Sequence, residues 1–224
     1  MSRIVAIVPV RKGSQRVPRK NVRPFAGTTL LGLKLEVLTR LDGVDDVVVS
    51  TDCEDCMAIA REHGVTVQVR DDYHAGSTVT NDVHWRHIAE TTPGDVVFMT
   101  QVTSPFVRRS THAAALADYL ATRAEHDSLN SVTPEKKFLW QDGRPINYDV
   151  NRTPKSQDLP DIVSLNFAIT IIERSLMMER GNVVGNRPKF ITLDKTESVD
   201  IDDMTDFAVA EAMFGELGKE WLLD

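Results

Sequence analysis

The chain has 224 residues, 42% hydrophobic and 26% charged, with a net charge of −7 at pH 7, the balance of one globular core with or without a smaller appendage. An acidic chain lacks the basic face that counterion release on a nucleic acid requires, and no stretch approaches the roughly 20 apolar residues of a membrane span. The first apolar run is short and leads straight into cations, unlike a secretory leader, so the cytoplasm is the expected compartment.

Strand and helix signals alternate along the chain. Ile4 to Val8 reads as a buried strand, and Thr29 to Leu41 has helical spacing with Leu30, Leu33, Val37 and Leu41 on one side. Asp46 to Ser50 is a short buried strand, Cys53 to His63 a helix stopped by Gly64, and Thr66 to Val69 a third strand. A helix over Asn81 to Glu90, a strand over Val96 to Met99, an alanine-rich helix over Thr111 to Thr122 and a strand over Ser128 to Thr133 continue the rhythm. This alternation predicts an α/β fold, a Rossmann-like and mostly parallel sheet covered on both faces. The rhythm breaks over Pro134 to Pro160, which is polar and holds Lys136, Lys137, Asp142-Gly143, Pro154 and Pro160. So long an irregular connection in a compact domain points to function or a partner contact. Strands are predicted again over Val163 to Ile172 and Phe190 to Leu193. Ser198 to Ile201 then leads into a last helix from about Met204.

The first strand is followed by VRKGSQRVPRKN, a loop with five cations: Arg11, Lys12, Arg16, Arg19 and Lys20. Gly13 allows backbone N–H groups to approach phosphate, while Ser14 and the cations add donors. The end of a first parallel strand is where α/β folds bind ligands. Against an acidic chain, such a loop suits a small polyanion. It is neither a Walker loop nor a dinucleotide fingerprint, since GK[ST] and G-x-G-x-x-G are both absent. Asp200 and Asp202 stand at i and i+2, on one side of the backbone if it is extended. Mg²⁺ needs only one or two carboxylates beside water and phosphate. The same acids also suit the start of a helix, with Asp202 or Asp203 as N-cap. Cys53 and Cys56 form a C-x-x-C without a second ligand pair, hence two ordinary thiols. His84 and His87, at i and i+3, read as helix-surface residues.

The pattern R-x-G-S-x-R-V-P-x-K-N resembles the signature loop of the CMP-sugar synthetases, cytidylyltransferases that activate sialic acid and related acidic sugars. Ser50-Thr51-Asp52, Gln101 to Pro105 (QVTSP) and Ser198 to Asp203 (SVDIDD) follow in the family's order. The resemblance implies a nucleotidyltransferase fold, GT-A-like, with a nucleotide-binding core over 1–133 and 189–224. It also implies a projecting dimerisation arm over 134–188 that closes the acceptor pocket of a homodimer. It implies CTP and Mg²⁺, with Arg11 and Lys20 on the triphosphate together with Lys12, Gly13, Ser14, Gln15, Arg16 and Asn21. Asp200 and Asp202 become the metal ligands, with Asp202 catalytic. Arg70 becomes the cytosine reader, completed by backbone groups from Ser77 to Thr80 and by Asn81 near the ribose, with Asp52 a lesser candidate. Gln101, Thr103, Ser104 and Asn166 fall on the acceptor side.

The chain departs from the family at several points. Gln15 stands where the family carries Lys, with Arg16 beside it as the alternative cation. Ser156 and Ser164 replace arginines, and Val183-Val184 replace aromatics offered by the arm. Lys155 and Arg152 remain as binders of acceptor charge. The lost bulk and charge lean towards a small phosphonate acceptor such as phosphonoformate, with a CMP-nonulosonate synthetase as the alternative. A non-catalytic nucleotide-binding module is the rival class; Gln15 favours it and the intact Asp200 and Asp202 oppose it.

Overall fold

The computed structural model describes residues 2–76 and 78–224. Strand β1 (Ile4–Pro9) is followed by a small hairpin of β2 (Pro24–Phe25) and β3 (Thr28–Thr29), then helix α1 (Leu30–Leu38). Strand β4 (Asp46–Thr51), α2 (Glu54–Glu62), β5 (Thr66–Val69), the one-turn α3 (Asp72–Ala75), α4 (Asn81–Thr91), β6 (Val96–Thr100), α5 (Arg109–Thr122) and β7 (Ser128–Pro134) come next. A second small hairpin, β8 (Trp140–Gln141) and β9 (Arg144–Pro145), precedes β10 (Val163–Glu173), α6 (Arg174–Arg180), β11 (Pro188–Thr192) and α7 (Met204–Leu223).

Seven strands form one sheet in the order β11-β7-β10-β6-β1-β4-β5, with every neighbouring pair parallel except those of β10, which runs antiparallel to both β6 and β7. The strand period of two splits β1 between two cores. Ile4, Ala6 and Val8 face one core with Leu31, Leu35 and Leu38 of α1. Val5 and Ile7 face the other with Ile88 of α4 and Met177 of α6. Burial on both faces is why β1 reads as an unbroken apolar run. The chain passes from β1 outward to β4 and β5, then crosses back to β6 on the other side of β1. This reversal puts a crevice at the carboxyl ends of β1, β4 and β6, the place where open α/β sheets bind ligands.

The predicted alternation holds, and several bounds shift. The α1 segment stops at Leu38, and the Ser198–Ile201 stretch takes no strand. Residues 134–188 do not form one projecting arm. β10 fills the sheet between β6 and β7, α6 packs against α4, and Val183 is fully buried. What remains outside the sheet is residues 135–162, held at its base by Glu135 N–H donating to the Ile162 carbonyl at 2.8 Å. This excursion has a small aromatic nucleus, with Tyr148 edge-on to Phe138 and to Trp140. No helix among the described residues is long and apolar enough to cross a membrane.

Candidate active site

The basic loop leaves β1 at the crevice and is fixed at both ends. Asp52, just past β4, accepts a hydrogen bond from Lys12 N–H at 2.8 Å. The Asn21 side-chain amide donates to the Arg11 carbonyl at 2.9 Å, and the Asn21 carbonyl accepts from Leu31 N–H at the start of α1. Asp52 and Asn21 therefore set the loop's shape. A Cβ at Gly13 would meet no protein atom within 4 Å, so the space beside it is open to a ligand.

Four cavities border Arg11, and two of them also share Gln101. One, of about 320 Å³, is lined by the loop (Ser14, Gln15, Arg16, Lys20, Asn21) together with Gln101, Thr103 and Asp202. The other, of about 350 Å³, is lined by Arg70, His74, Asn81, His84 and Gln101. Lys12 and Gly13 line a further cavity with Asp52. Arg11, Gln101 and the Pro9-Val10 end of β1 belong to both cavities.

Across the first cavity the loop meets the segment before α7. Lys20 Nζ donates to the Ile201 carbonyl at 2.7 Å, and Ile201 N–H donates to the Thr103 carbonyl at 2.8 Å. Arg16 pairs with Asp202 at 2.6 Å. Burial lowers the Lys20 pKa, while the charges of Asp200 and Asp202 work against that loss. The Asp200 carboxyl is raised above its usual value, first by desolvation and also by the neighbouring Asp202 charge, although Thr103 donates to it. A divalent cation would relieve that repulsion. Among the described residues no three His, Cys, Asp or Glu side chains form a metal cluster, but two carboxylates beside a phosphate site are the donor set that Mg²⁺ takes. The helix-cap alternative belongs to Asp203. Its carboxylate accepts from Thr205 and Asp206 N–H at 2.7 and 3.0 Å, and Asp206 accepts in return from Asp203 N–H. Asp202 N–H also donates to Asp206 at 2.9 Å, but the Asp202 carboxylate is left out of the cap.

Arg70 is neither a surface cation nor paired with its neighbours. Only 4% of it is exposed, and its guanidinium donates to the Val10 and Ser50 carbonyls, tying the ends of β1 and β4 together. Its Nε is buried without a partner. Asp71 caps α3 instead, accepting from His74 N–H.

Several expected site residues lie elsewhere. Thr80 holds the N-cap position of α4 without a side-chain capping bond, and its hydroxyl bonds to Asp82 instead; Ser77 lies outside the described residues. Ser104 is buried, and its carbonyl accepts from the fully buried Lys34 at 3.0 Å. The Asn166 amide is engaged at both ends by Ser131 and Thr133, where β10 bulges between Leu165 and Thr170. It shapes the strand. Lys155 and Arg152 sit exposed on the excursion. Val183, expected to offer its side chain to an acceptor, is instead a core residue whose carbonyl accepts from Asn130.

The histidines differ from expectation too. His84 lines the second cavity, and His87 stacks on His74 with ring centroids 3.7 Å apart. The signal for His84 was its place three residues after Asn81, on the same helix face. Cys53 and Cys56 are buried free thiols, and burial pushes the Cys56 thiol up, which suits an inert pair.

A family profile described as Cytidylyltransferase matches residues 5–141. The N-acylneuraminate cytidylyltransferase A of Danio rerio is 27% identical over 97% of this chain and 53% of its own length. The CMP-N,N'-diacetyllegionaminic acid synthase of Legionella pneumophila is 27% identical over 99% of this chain and 100% of its own. Among solved structures, a CMP:2-keto-3-deoxy-manno-octonic acid synthetase complexed with CTP superposes with a TM-score of 0.71 at 14% identity, covering 96% of this chain and 99% of that one. At that identity the likeness speaks for the fold. The chain spans about half the length of several curated relatives it matches, the Danio rerio enzyme among them.

Proposed function

This chain belongs to the cytidylyltransferase family, and from that premise we propose that it transfers CMP from CTP to an acidic sugar with release of pyrophosphate. The observation that carries the reading is the meeting of the loop cations with the segment of the two acids at one cavity: Arg16 on the Asp202 carboxylate at 2.6 Å and Lys20 on the Ile201 carbonyl at 2.7 Å. Cations for a triphosphate and carboxylates for its counter-ion thus share one wall, next to a second cavity of a size for a pyrimidine.

In this reading the base enters the cavity beside Arg70, and the phosphates turn at Arg11 into the loop. Charge-assisted donors from Arg11, Ser14 and Lys20 hold the oxygens and face the charge that develops as the bond breaks. Asp200 and Asp202 would hold Mg²⁺, which when bound draws negative charge from the phosphate oxygens. The acceptor hydroxyl oxygen bonds to the α-phosphorus and loses its proton, the α–β anhydride bond breaks, and pyrophosphate leaves with the electron pair. Gln101 and Thr103 stand on the side from which the acceptor would approach.

The acceptor is proposed to be a sugar acid of the kind that the two relatives' names carry, N-acylneuraminate or N,N'-diacetyllegionaminic acid. The lean towards a small phosphonate rested on Ser156 and Ser164 in place of arginines and on Val183-Val184 as pocket residues, and Val183 is in the core. A homodimer is proposed through the excursion of residues 135–162, where Trp140 and Ile146 are 53% and 57% exposed; light scattering tests it, and a monomeric mass would remove it.

The decisive experiment screens N-acetylneuraminate, a legionaminic-type acid and phosphonoformate for CTP-dependent pyrophosphate release. Release with a sugar acid is expected. Release with phosphonoformate alone would overturn the acceptor, and none with any acid would favour the non-catalytic module.

A further inference from the structure

Lys34 carries a charge that neither the core nor the proposed reaction accounts for. It lies in α1 among Leu30, Leu31, Leu33, Leu35 and Leu38, and only 2% of it is exposed. A lysine is almost never buried to this degree unless it is paired. Among the described residues its ammonium makes no ion pair, and its hydrogen-bond partner is the Ser104 carbonyl at 3.0 Å. Burial lowers its pKa to about 7, against the pull of the Glu197 charge. A methionine would fill much the same space with no charge to desolvate, so for the fold alone Lys34 is a cost. Departures of this kind from a consistent core are expected at functional sites.

What Lys34 holds is the turn that leads from β6 to α5. That turn carries Gln101 and Thr103, which line the cavity of the loop cations and Asp202. Further along, Arg108 N–H donates to the buried Glu197 at 3.0 Å, and the Thr111 hydroxyl donates to the same carboxylate at 2.6 Å. Glu197 stands three residues before Asp200, so the turn and the segment of the two acids are tied together at that end. They are tied again at the cavity. Ile201, between Asp200 and Asp202, donates its N–H to the Thr103 carbonyl at 2.8 Å. Ser104 is the next residue, so a single peptide separates the carbonyl held by Lys34 from the carbonyl that holds Ile201. A turn released at Ser104 would carry the backbone of both acids with it. We propose that Lys34 is a positioning residue for the transfer, fixing the turn so that Thr103 keeps Asp200 and Asp202 in place for a divalent cation. It acts through the backbone and touches no substrate. The inference rests on the reading of Asp200 and Asp202 as metal ligands above, and it adds to that reading the buried group that aligns them.

The test is Lys34→Met in the full chain, read in three ways. Urea unfolding at pH 7 should give a midpoint equal to or above that of the wild type, because a desolvated charge has gone. Calorimetry in EDTA should give an unchanged Kd for CTP, since the loop cations are untouched. The Mg²⁺ midpoint should rise about 10-fold or more, the scale on which groups that orient metal ligands act on metal affinity. That midpoint is read both from pyrophosphate release and from the dependence of CTP binding on Mg²⁺. Lys34→Gln, uncharged but with an amide donor for the Ser104 carbonyl, should lie between the two proteins. A Lys34→Met protein that does not fold, or is less stable than the wild type, would make Lys34 a structural residue and overturn the proposal. So would a wild-type Mg²⁺ midpoint, or a loss of CTP binding in EDTA as large as the loss of Mg²⁺ affinity. A Lys34→Gln protein no better than Lys34→Met would remove the bond to Ser104 as the link. Failure of the transferase reading shows in the wild type alone, as CTP binding with no pyrophosphate release for any sugar acid, while the Mg²⁺ dependence of CTP binding still reports on Lys34.

Discussion

Replacing Asp202 by Asn should stop turnover and leave the fold intact, whereas replacing Asp203 by Ala should do the reverse. The Asp203 carboxylate accepts two hydrogen bonds at the start of α7, while its N–H donates to Asp206, so loss of the carboxylate leaves two helical N–H groups without acceptors. Removing such a cap costs about 1 kcal/mol, which moves a urea midpoint by roughly 0.5 M for a slope of about 2 kcal/mol/M. Asp202 contributes to the fold mainly through Arg16, and the side chains of that pair are 67% and 53% exposed. Exposed pairs are worth roughly 0–1 kcal/mol, and Asn keeps an acceptor for Arg16, so the urea midpoint should barely move. For the reaction, Asn loses a ligand charge that a bound Mg²⁺ would need. A loss of about 100-fold in kcat, some 2.7 kcal/mol of barrier, is expected. The assay pairs pyrophosphate release over a Mg²⁺ series with urea unfolding of the same preparations. An Asp202→Asn protein with wild-type rate and Mg²⁺ midpoint would refute the assignment. So would an Asp203→Ala protein that is stable and inactive.

Arg11→Ala should lower kcat/KM for CTP by about 10- to 100-fold, since a charge-assisted hydrogen bond is worth roughly 1.5–3 kcal/mol; wild-type steady-state kinetics would remove it from the triphosphate site. Gln15→Lys should tighten CTP binding measured by calorimetry, because Arg16 is already committed to Asp202, and an unchanged Kd would mean that Arg16 serves both. Arg70→Ala should weaken the protein by roughly 1–3 kcal/mol in urea as well as narrow the CTP preference, because the Val10 carbonyl loses the guanidinium and the Ser50 carbonyl keeps only Val10 N–H; full stability with full selectivity would contradict both roles. Lys34, fully buried, has its pKa lowered to about 7 by burial, against 10.5 as a free side chain. The unfolded chain therefore binds more protons between those values, so the cost of Lys34 is fully present below about pH 7 and is relieved as pH rises towards 10.5. Lys34→Met should flatten the rise in unfolding free energy between pH 7 and 9, and equal slopes for the two proteins would refute it.

Much of this was legible because its causes are local. A strand buried on two faces must be an unbroken apolar run, and Ile4–Pro9 and Val96–Thr100 are such runs. The loop cations and the acids before α7 were visible as charge patterns. The cap was visible only as a choice between Asp202 and Asp203; the structure assigns it to Asp203 through the reciprocal bonds with Asp206. What could not be read depends on partners far along the chain. Nothing in Val163–Glu173 marks it as the antiparallel strand of the seven-stranded sheet, since the side-chain period is the same for either direction. Val183 lies between Gly181-Asn182 and Gly185-Asn186 and reads as a surface turn, yet Asn130, 53 residues away, donates to its carbonyl and draws it inside. Arg70 sits between a strand and two aspartates, where a surface ion pair is the ordinary outcome. Its burial follows from two carbonyls at the ends of other strands, Val10 and Ser50, that no other side chain satisfies. Sequence spacing carries no trace of such carbonyls, because every residue has one. Only the sheet order decides which of them end up side by side at the crevice, and the same order makes the guanidinium that serves them a wall of the cavity it shares with Asn81 and Gln101.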